Sequence, residues 1–236
     1  MWTLMVNHAN FADIVLTPSE HFARKLKSYG VKKPIVAVSN GVADSLAERE
    51  WTVRKFDGKG PLKVIWNSRA SREKRIIPFL EAVWLADIPM KLEVFGGGNQ
   101  LARAKRYVKR RGLEKKVRFY GQVPHEKLLG KMQEQHLSVT VSSGFDTQGL
   151  TLLEAEVTGL PVFFCDPDMQ EIVPEGSYVM SQGPSPEAMA KALREIYRAS
   201  EQIEAMSKVM MKHRKEVLQS VQIKKLIKVY QNLIAK

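Results

Sequence analysis

Residues 139–162 constrain this chain more than any other part of it. Val139 to Val141 read as the end of a buried strand. Ser142 to Gln148, a run that includes Gly144 and Phe145, is a polar turn segment. From Gly149 the pattern becomes helical, with Leu150, Leu153 and Val157 at helical spacing. Gly159 suits the position just past the helix end, and Pro161 the exit into another apolar strand. A strand, a loop and a helix N-terminus in this order present unpaired backbone N–H groups and a positive dipole end to an anion. The N–H groups at Gly149, Leu150 and Thr151 are therefore candidates for holding one. Two carboxylates frame the turn, Asp146 in the loop and Glu154 about one turn into the helix.

The rest of the chain alternates in the same way. Ala12 to Thr17 reads as a strand, Ser19 as the cap of a helix that ends near Gly30, and Pro34 to Val38 as a second strand before the turn pair Asn40-Gly41. Residues 43–60 are charged and glycine-bearing and read as a linker. Leu62 to Asn67 is an apolar strand followed by Ser68-Arg69-Ala70-Ser71-Arg72-Glu73-Lys74. Arg69 offers a planar fork of donors and Lys74 a point charge at the next helix start, a pairing that suits phosphate groups. Leu92 to Phe95 runs into Gly96-Gly97-Gly98. Three glycines there allow close backbone approach to a ligand at Gly97, and a tight turn without ligand contact fits equally. Leu101 to Arg111 is a basic helix, Val117 to Tyr120 a strand leading into Gly121-Gln122-Val123-Pro124, and a helix follows from His125. Helices are also read from Pro184 to Tyr197, over 200–218, and from Val221 to Ile234. The expected fold is α/β: a Rossmann-like parallel sheet with helices on both faces and a helical C-terminal tail. Ligands bind such sheets beyond the carboxyl ends of the strands. Arg69, Gly97, Val123 and Asp146 all follow strands, so they should gather along one edge.

The segment from Asp146 to Val162 resembles the signature of retaining GT-B-fold glycosyltransferases of the group 1 family: an acid, seven residues, a Glu, and an Ala-bearing continuation to Gly-x-Pro-Val. Asp146 stands where that family more often has Glu. An Asp-Thr-Gln-Gly-Leu-Thr version looks like a subgroup that includes glycolipid-forming glucosyltransferases. The resemblance runs in order over about residues 13–180. It implies the C-terminal, donor-binding half of such an enzyme, with residues 1–42 a remnant of the preceding Rossmann-like domain and the crossover, 61–200 the nucleotide-sugar-binding domain, and 201–236 the terminal helices. It further implies transfer of a hexose from a nucleotide-diphospho-sugar, UDP-glucose-like, to a glycolipid or other acceptor. Arg69 and Lys74 would hold the phosphates, backbone at Val123 would meet the base, and Glu154 would hold the ribose. At ~1.5 Å per residue, Glu154 lies roughly 6–7 Å along the helix from its first residues, about the span from a diphosphate to that ribose. Asp146 would lie near the sugar, and Asp146 and Glu154 are the candidate catalytic pair. No metal or other cofactor is expected. Arg75 replaces a frequent glycine. Because far fewer residues precede the crossover than a Rossmann-like domain needs, a missing N-terminal domain or a partner chain is expected. The alternative from another class is a non-catalytic nucleotide-sugar-binding subunit or remnant.

Charge and composition narrow the partners. The formal net charge is +12, which fits a nucleotide diphosphate, nucleic acid or an acidic membrane surface. Arg103, Lys105, Arg106, Lys109, Arg110 and Arg111 concentrate it on one helix, with Tyr107 as the lone aromatic. Peripheral contact with an anionic membrane is therefore ranked above nucleic acid. The single cysteine, Cys165, excludes a disulfide framework and suits a reducing, cytoplasmic setting, with the inner membrane face as a further expectation. His125 and His136 show no ligand-like partners, and neither is assigned a metal.

Overall fold

The computed structural model describes residues 2–144 and 146–235; Phe145, part of the expected turn, lies outside them. A first segment holds helix α1 (Trp2–Ala9), strand β1 (Val15–Thr17), helix α2 (Glu20–Ser28) and strand β2 (Ile35–Ala37). β1 and β2 pair in parallel as a two-stranded sheet. The main body contains β3 (Leu62–Asn67), α3 (Ile76–Ala86), β4 (Met90–Phe95), α4 (Leu101–Arg111), β5 (Val117–Gly121), α5 (His125–Gln133), β6 (Leu137–Thr140), α6 (Leu150–Val157), β7 (Val162–Phe164) and β8 (Tyr178–Met180). Helices α7 (Pro186–Arg198), α8 (Gln202–His213) and α9 (Gln219–Ile234) complete it.

The six strands form one parallel sheet in the order β5-β4-β3-β6-β7-β8. The chain therefore builds outward in one direction from β3 and then returns to build outward in the other from β6. That reversal is the doubly wound arrangement, and ligands bind such sheets at the switch point between the two central strands. Both faces are covered, which is why the strands read as nearly continuous apolar runs. On one face Val64, Trp66, Val94 and Phe163 pack with Phe79 and Val83 of α3 and Leu193 of α7. On the other, Ile65, Phe95, Val162 and Phe164 pack with Leu129 of α5, Leu152 and Leu153 of α6 and Met210 of α8. The expected fold class is the one observed.

Several local expectations shift. Ser19 stands before α2, but its hydroxyl donates to the carbonyl of Thr147 instead of capping the helix. The stretch expected as a linker is anchored, since Leu46, Trp51, Arg54 and Phe56 are buried. It leads out of a crossover where Val42 pairs with Leu218, ahead of α9. Arg75 has φ 59°, a left-handed backbone that explains why glycine suits this position; its guanidinium donates to the Pro184 carbonyl. The elements that leave no clear pattern in the sequence include α1 and β8. Among the described residues no helix is long and apolar enough to cross a membrane.

Helix α6 packs beside the switch point. Its Leu152, Leu153, Ala155 and Val157 are buried, and so is a carboxylate, Glu156. Burial, with a smaller contribution from Glu216, pushes the Glu156 acid up to about 8 from 4.5. The folded protein thus keeps a proton that the unfolded chain releases between those values. Stability therefore falls as pH rises through that window and levels off above it. Glu156→Gln keeps the shape and removes the titration. Thermal melts should place this variant close to the parent at pH 5 and above it at pH 8.5, by several degrees. An equal difference at both pH values would show that Glu156 does not titrate in this way.

Candidate functional site

The loops after β3, β4, β5 and β6 meet at one end of the sheet. Three backbone hydrogen bonds stitch the first three together: Ala70 N–H to Gly97 O at 2.8 Å, Gln100 N–H to Ala70 O at 2.8 Å, and Gly96 N–H to Gly121 O at 2.7 Å. The glycines make this approach feasible. A Cβ on Gly96 (φ 111°) would lie 2.2 Å from Ser68 O, and one on Gly98 (φ 148°) would lie 2.5 Å from Ala70 O. Gly97 differs: a Cβ there would find nothing nearer than Gln122 Cγ at 3.6 Å. Of the two readings of the Gly-rich turn, Gly96 and Gly98 thus have a sufficient reason in the fold itself. Gly97 faces the Gln122 side chain.

Arg69 and Val123 come together as expected. Both line a cleft of about 450 Å³ with Asn67, Ser68, Phe95, Gly96, Gln122 and Leu128. Arg69 is exposed, and no hydrogen bond or ion pair engages its guanidinium among the described residues. Phe95 and Tyr120 stack at 4.6 Å, and the Tyr120 hydroxyl donates to Glu93 at 2.8 Å, which stiffens the wall behind the cleft.

The second group centres on the loop into α6. Lys74 Nζ reaches Asp146 Oδ1 at 2.5 Å. The other oxygen of Asp146, Oδ2, is buried without a hydrogen-bond partner among the described residues. The loop is braced from outside: Lys25 donates to Gly144 O at 2.7 Å and His21 Nε2 lies 3.0 Å from Asp146 O. Asp166 accepts the Gly144 N–H at 2.5 Å. Asp166 and Glu171, in the acidic run after β7, are thus engaged as braces, Glu171 with Arg24 and the His21 N–H.

Gly149, at φ 74°, turns the chain into α6. The N–H groups of Leu150 and Thr151 meet no acceptor among the described residues, as expected for a helix's first turn. The Thr151 hydroxyl lies 3.1 Å from that of Thr140, which pins the turn to β6. Glu154 faces back across the switch point. Its Oε1 lies 2.9 Å from His125 Nε2 and its Oε2 accepts from Asn67 Nδ2 at 3.4 Å. Asn67 joins the two groups, since it also lines the Arg69 cleft.

Two of these residues were not read as site residues from the sequence. His125 shows no ligand-like partner in the sequence; the fold brings it from the start of α5 onto a carboxylate 29 positions away, a pairing invisible to local spacing. Asn67 did leave a signal, a polar residue ending the apolar run Leu62–Trp66 at a strand's carboxyl end.

The family model described as glycosyl transferases group 1 matches residues 48–213. The chain belongs to this family. Solved structures of the same fold include sucrose-phosphate synthase from Thermosynechococcus elongatus, at 20% identity and a TM-score of 0.83, covering 99% of this chain and 61% of that one. HepE of Anabaena, solved with UDP-glucose, is 17% identical with a TM-score of 0.81, over 100% of this chain and 67% of its own. The pneumococcal O-GlcNAc transferase GtfA, solved with UDP and GlcNAc, is 18% identical with a TM-score of 0.77, over 100% of this chain and 48% of its own. This group 1 chain therefore spans about half to two thirds of the solved chains it matches. A sequence comparison with curated proteins found no match.

The glycine geometry sets a direct comparison. Gly96→Ala should cost about 2–4 kcal/mol in urea unfolding, through a backbone clash and a left-handed φ. Gly97→Ala should cost less than about 1 kcal/mol. Equal losses would mean that the loop contacts do not dictate the Gly-rich turn.

Proposed function

We propose that this chain is the donor-binding half of a retaining hexosyltransferase whose donor is a UDP-hexose, glucose or a close relative. The observation that carries the reading is the convergence at the switch point of an unengaged arginine, a lysine, a free helix N-terminus and a two-oxygen acceptor. Glu154 offers two carboxylate oxygens to the vicinal hydroxyls of a ribose. The N–H groups at Gly149, Leu150 and Thr151, with Arg69 and Lys74, face the diphosphate. As the sugar–phosphate bond breaks, negative charge grows on the departing diphosphate, and preorganised donors of this kind lower the barrier. Lys74 is shared between Asp146 and the phosphate, so its charge is held in place before the donor arrives. Asp146 lies on the sugar side of that lysine and accepts a sugar hydroxyl through the oxygen that has no other partner. Backbone at Val123 and the Gly97 turn enclose the base. No metal is assigned a part, because two cationic side chains and a helix dipole already oppose the diphosphate charge.

The acceptor side belongs to a companion domain or chain, in keeping with the half to two thirds of the solved homologous folds that this chain spans. A lipid-linked acceptor at an anionic cytoplasmic membrane face is supported by charge alone, the net +12 and the basic run of α4.

Calorimetric titration with UDP, UDP-glucose and GDP tests the reading. UDP and UDP-glucose should bind in the micromolar range and GDP more weakly. Glu154→Ala and Arg69→Ala should each weaken UDP at least tenfold, about 1.4 kcal/mol. A folded parent that binds none of the three would sink the donor-site assignment.

A further inference from the structure

Helix α6 presents two carboxylates to opposite sides. Glu154 faces the switch point. Glu156, two residues on and therefore about 200° around the helix, lines a different cleft of about 590 Å³. The walls of that cleft come from the residues after β1 and β2, Gln148, the segment after β7, and α8 and α9. Glu156 is 3% exposed and its Oε2 has no hydrogen-bond partner among the described residues. Gln222 of α9, 5% exposed, brings a second unpartnered acceptor, Oε1, to the same cleft. Two buried polar groups without partners are costly to the fold unless a ligand satisfies them.

The charges around them select its chemistry. Glu20, Glu171, Glu175 and Glu216 line the cleft with Glu156, against His213 and Lys225. Glu171 is engaged by Arg24, and Glu216 lies 2.8 Å from His213. Glu156 has no such partner, and the balance of the walls is negative. Among the described residues no group of three or more His, Cys, Asp or Glu is placed to hold a metal ion. An organic ammonium matches the negative walls and offers N–H donors on a carbon frame, for which a cleft of this volume has room.

We propose that the cleft behind α6 is a second ligand site, specific for a small organic cation whose ammonium N–H groups bond the Glu156 carboxylate and the Gln222 side-chain carbonyl. It is separate from the donor site and does not depend on that reading. It nevertheless shares α6 with it, and its wall includes Gln148, whose Oε1 accepts from Asn40 and whose Nε2 donates to Ser39. Because burial holds a proton on Glu156 up to about pH 8, an ammonium ligand must displace that proton. Binding therefore strengthens from pH 6 to pH 8.5.

The probe is 1,4-diaminobutane, titrated calorimetrically into the folded chain, with 1,4-butanediol as the uncharged control and UDP titrated in parallel. The diamine should bind at pH 8.5, about tenfold or more weaker at pH 6, and the diol should not bind. Glu156→Gln, which mimics the protonated acid, should weaken the diamine at least tenfold and leave UDP unchanged. Lys225→Ala, an exposed change that removes the cation facing the ligand, should tighten it. The proposal is overturned by absence of diamine binding at millimolar concentration, by equal binding of diol and diamine, or by unchanged affinity in Glu156→Gln. Diamine binding as described with no UDP binding would remove the donor-site reading and leave this one standing.

Discussion

Helix α6 is held at its C-terminal end by a buried arginine, and the rest of the site depends on it. At its C-terminal end the carbonyl of Thr158 accepts from the Arg54 guanidinium at 3.0 Å, and the carbonyl of Gly159 accepts from the Ser207 hydroxyl at 2.6 Å. The same Ser207 oxygen accepts the Arg54 N–H at 2.8 Å. A buried cation thus sits at the negative end of the helix dipole, where it is favourable. Met211 packs closely over Gly159 at this end, where a side chain on the glycine would displace the methionine. The positive end is left facing the switch point, where the Leu150 and Thr151 N–H groups meet no acceptor among the described residues. In the proposed function this asymmetry is what turns a packing helix into an anion site.

The segments on either side of the main sheet converge on the same helix. Arg54 comes from the stretch before β3, and Ser207 from α8 beyond the sheet. The first segment braces the loop into α6 through Ser19, His21 and Lys25. The crossover then meets the start of α9, where Val42 N–H bonds Val217 O and Gln219 N–H bonds Val42 O, both at 2.8 Å. Residues distant in sequence therefore fix the loop that carries Asp146. This geometry places the Asp146–Lys74 pair beside the helix end and leaves Glu154 to bridge toward Asn67 and His125.

Much of this was legible in the sequence because it is written locally. The apolar runs at Leu62–Asn67 and Val139–Val141 have the length and composition of buried parallel strands, and Gly159-Leu160-Pro161 marks a helix end on its own. The order of elements then dictates a doubly wound sheet and places Arg69, Val123 and Asp146 at one edge without any contact being known. Long-range pairings left no such mark. His125 on Glu154 and the Ser19 hydroxyl on Thr147 join elements whose spacing carries no periodic signal. Burial of Trp51 and Phe56 in a stretch rich in charge followed from tertiary packing, which overrides local composition. The three-residue β8 is too short for its alternation to stand out, and it exists because β7 offers it an edge.

The most direct test of the donor-site account is a crystal structure of the chain with UDP. The account predicts the ribose hydroxyls on the Glu154 carboxylate, the diphosphate at the N–H groups of Gly149 to Thr151 within reach of Arg69 and Lys74, and the uracil beside Val123. A nucleotide bound away from the α6 N-terminus, with Glu154 still engaged only by His125 and Asn67, would contradict it.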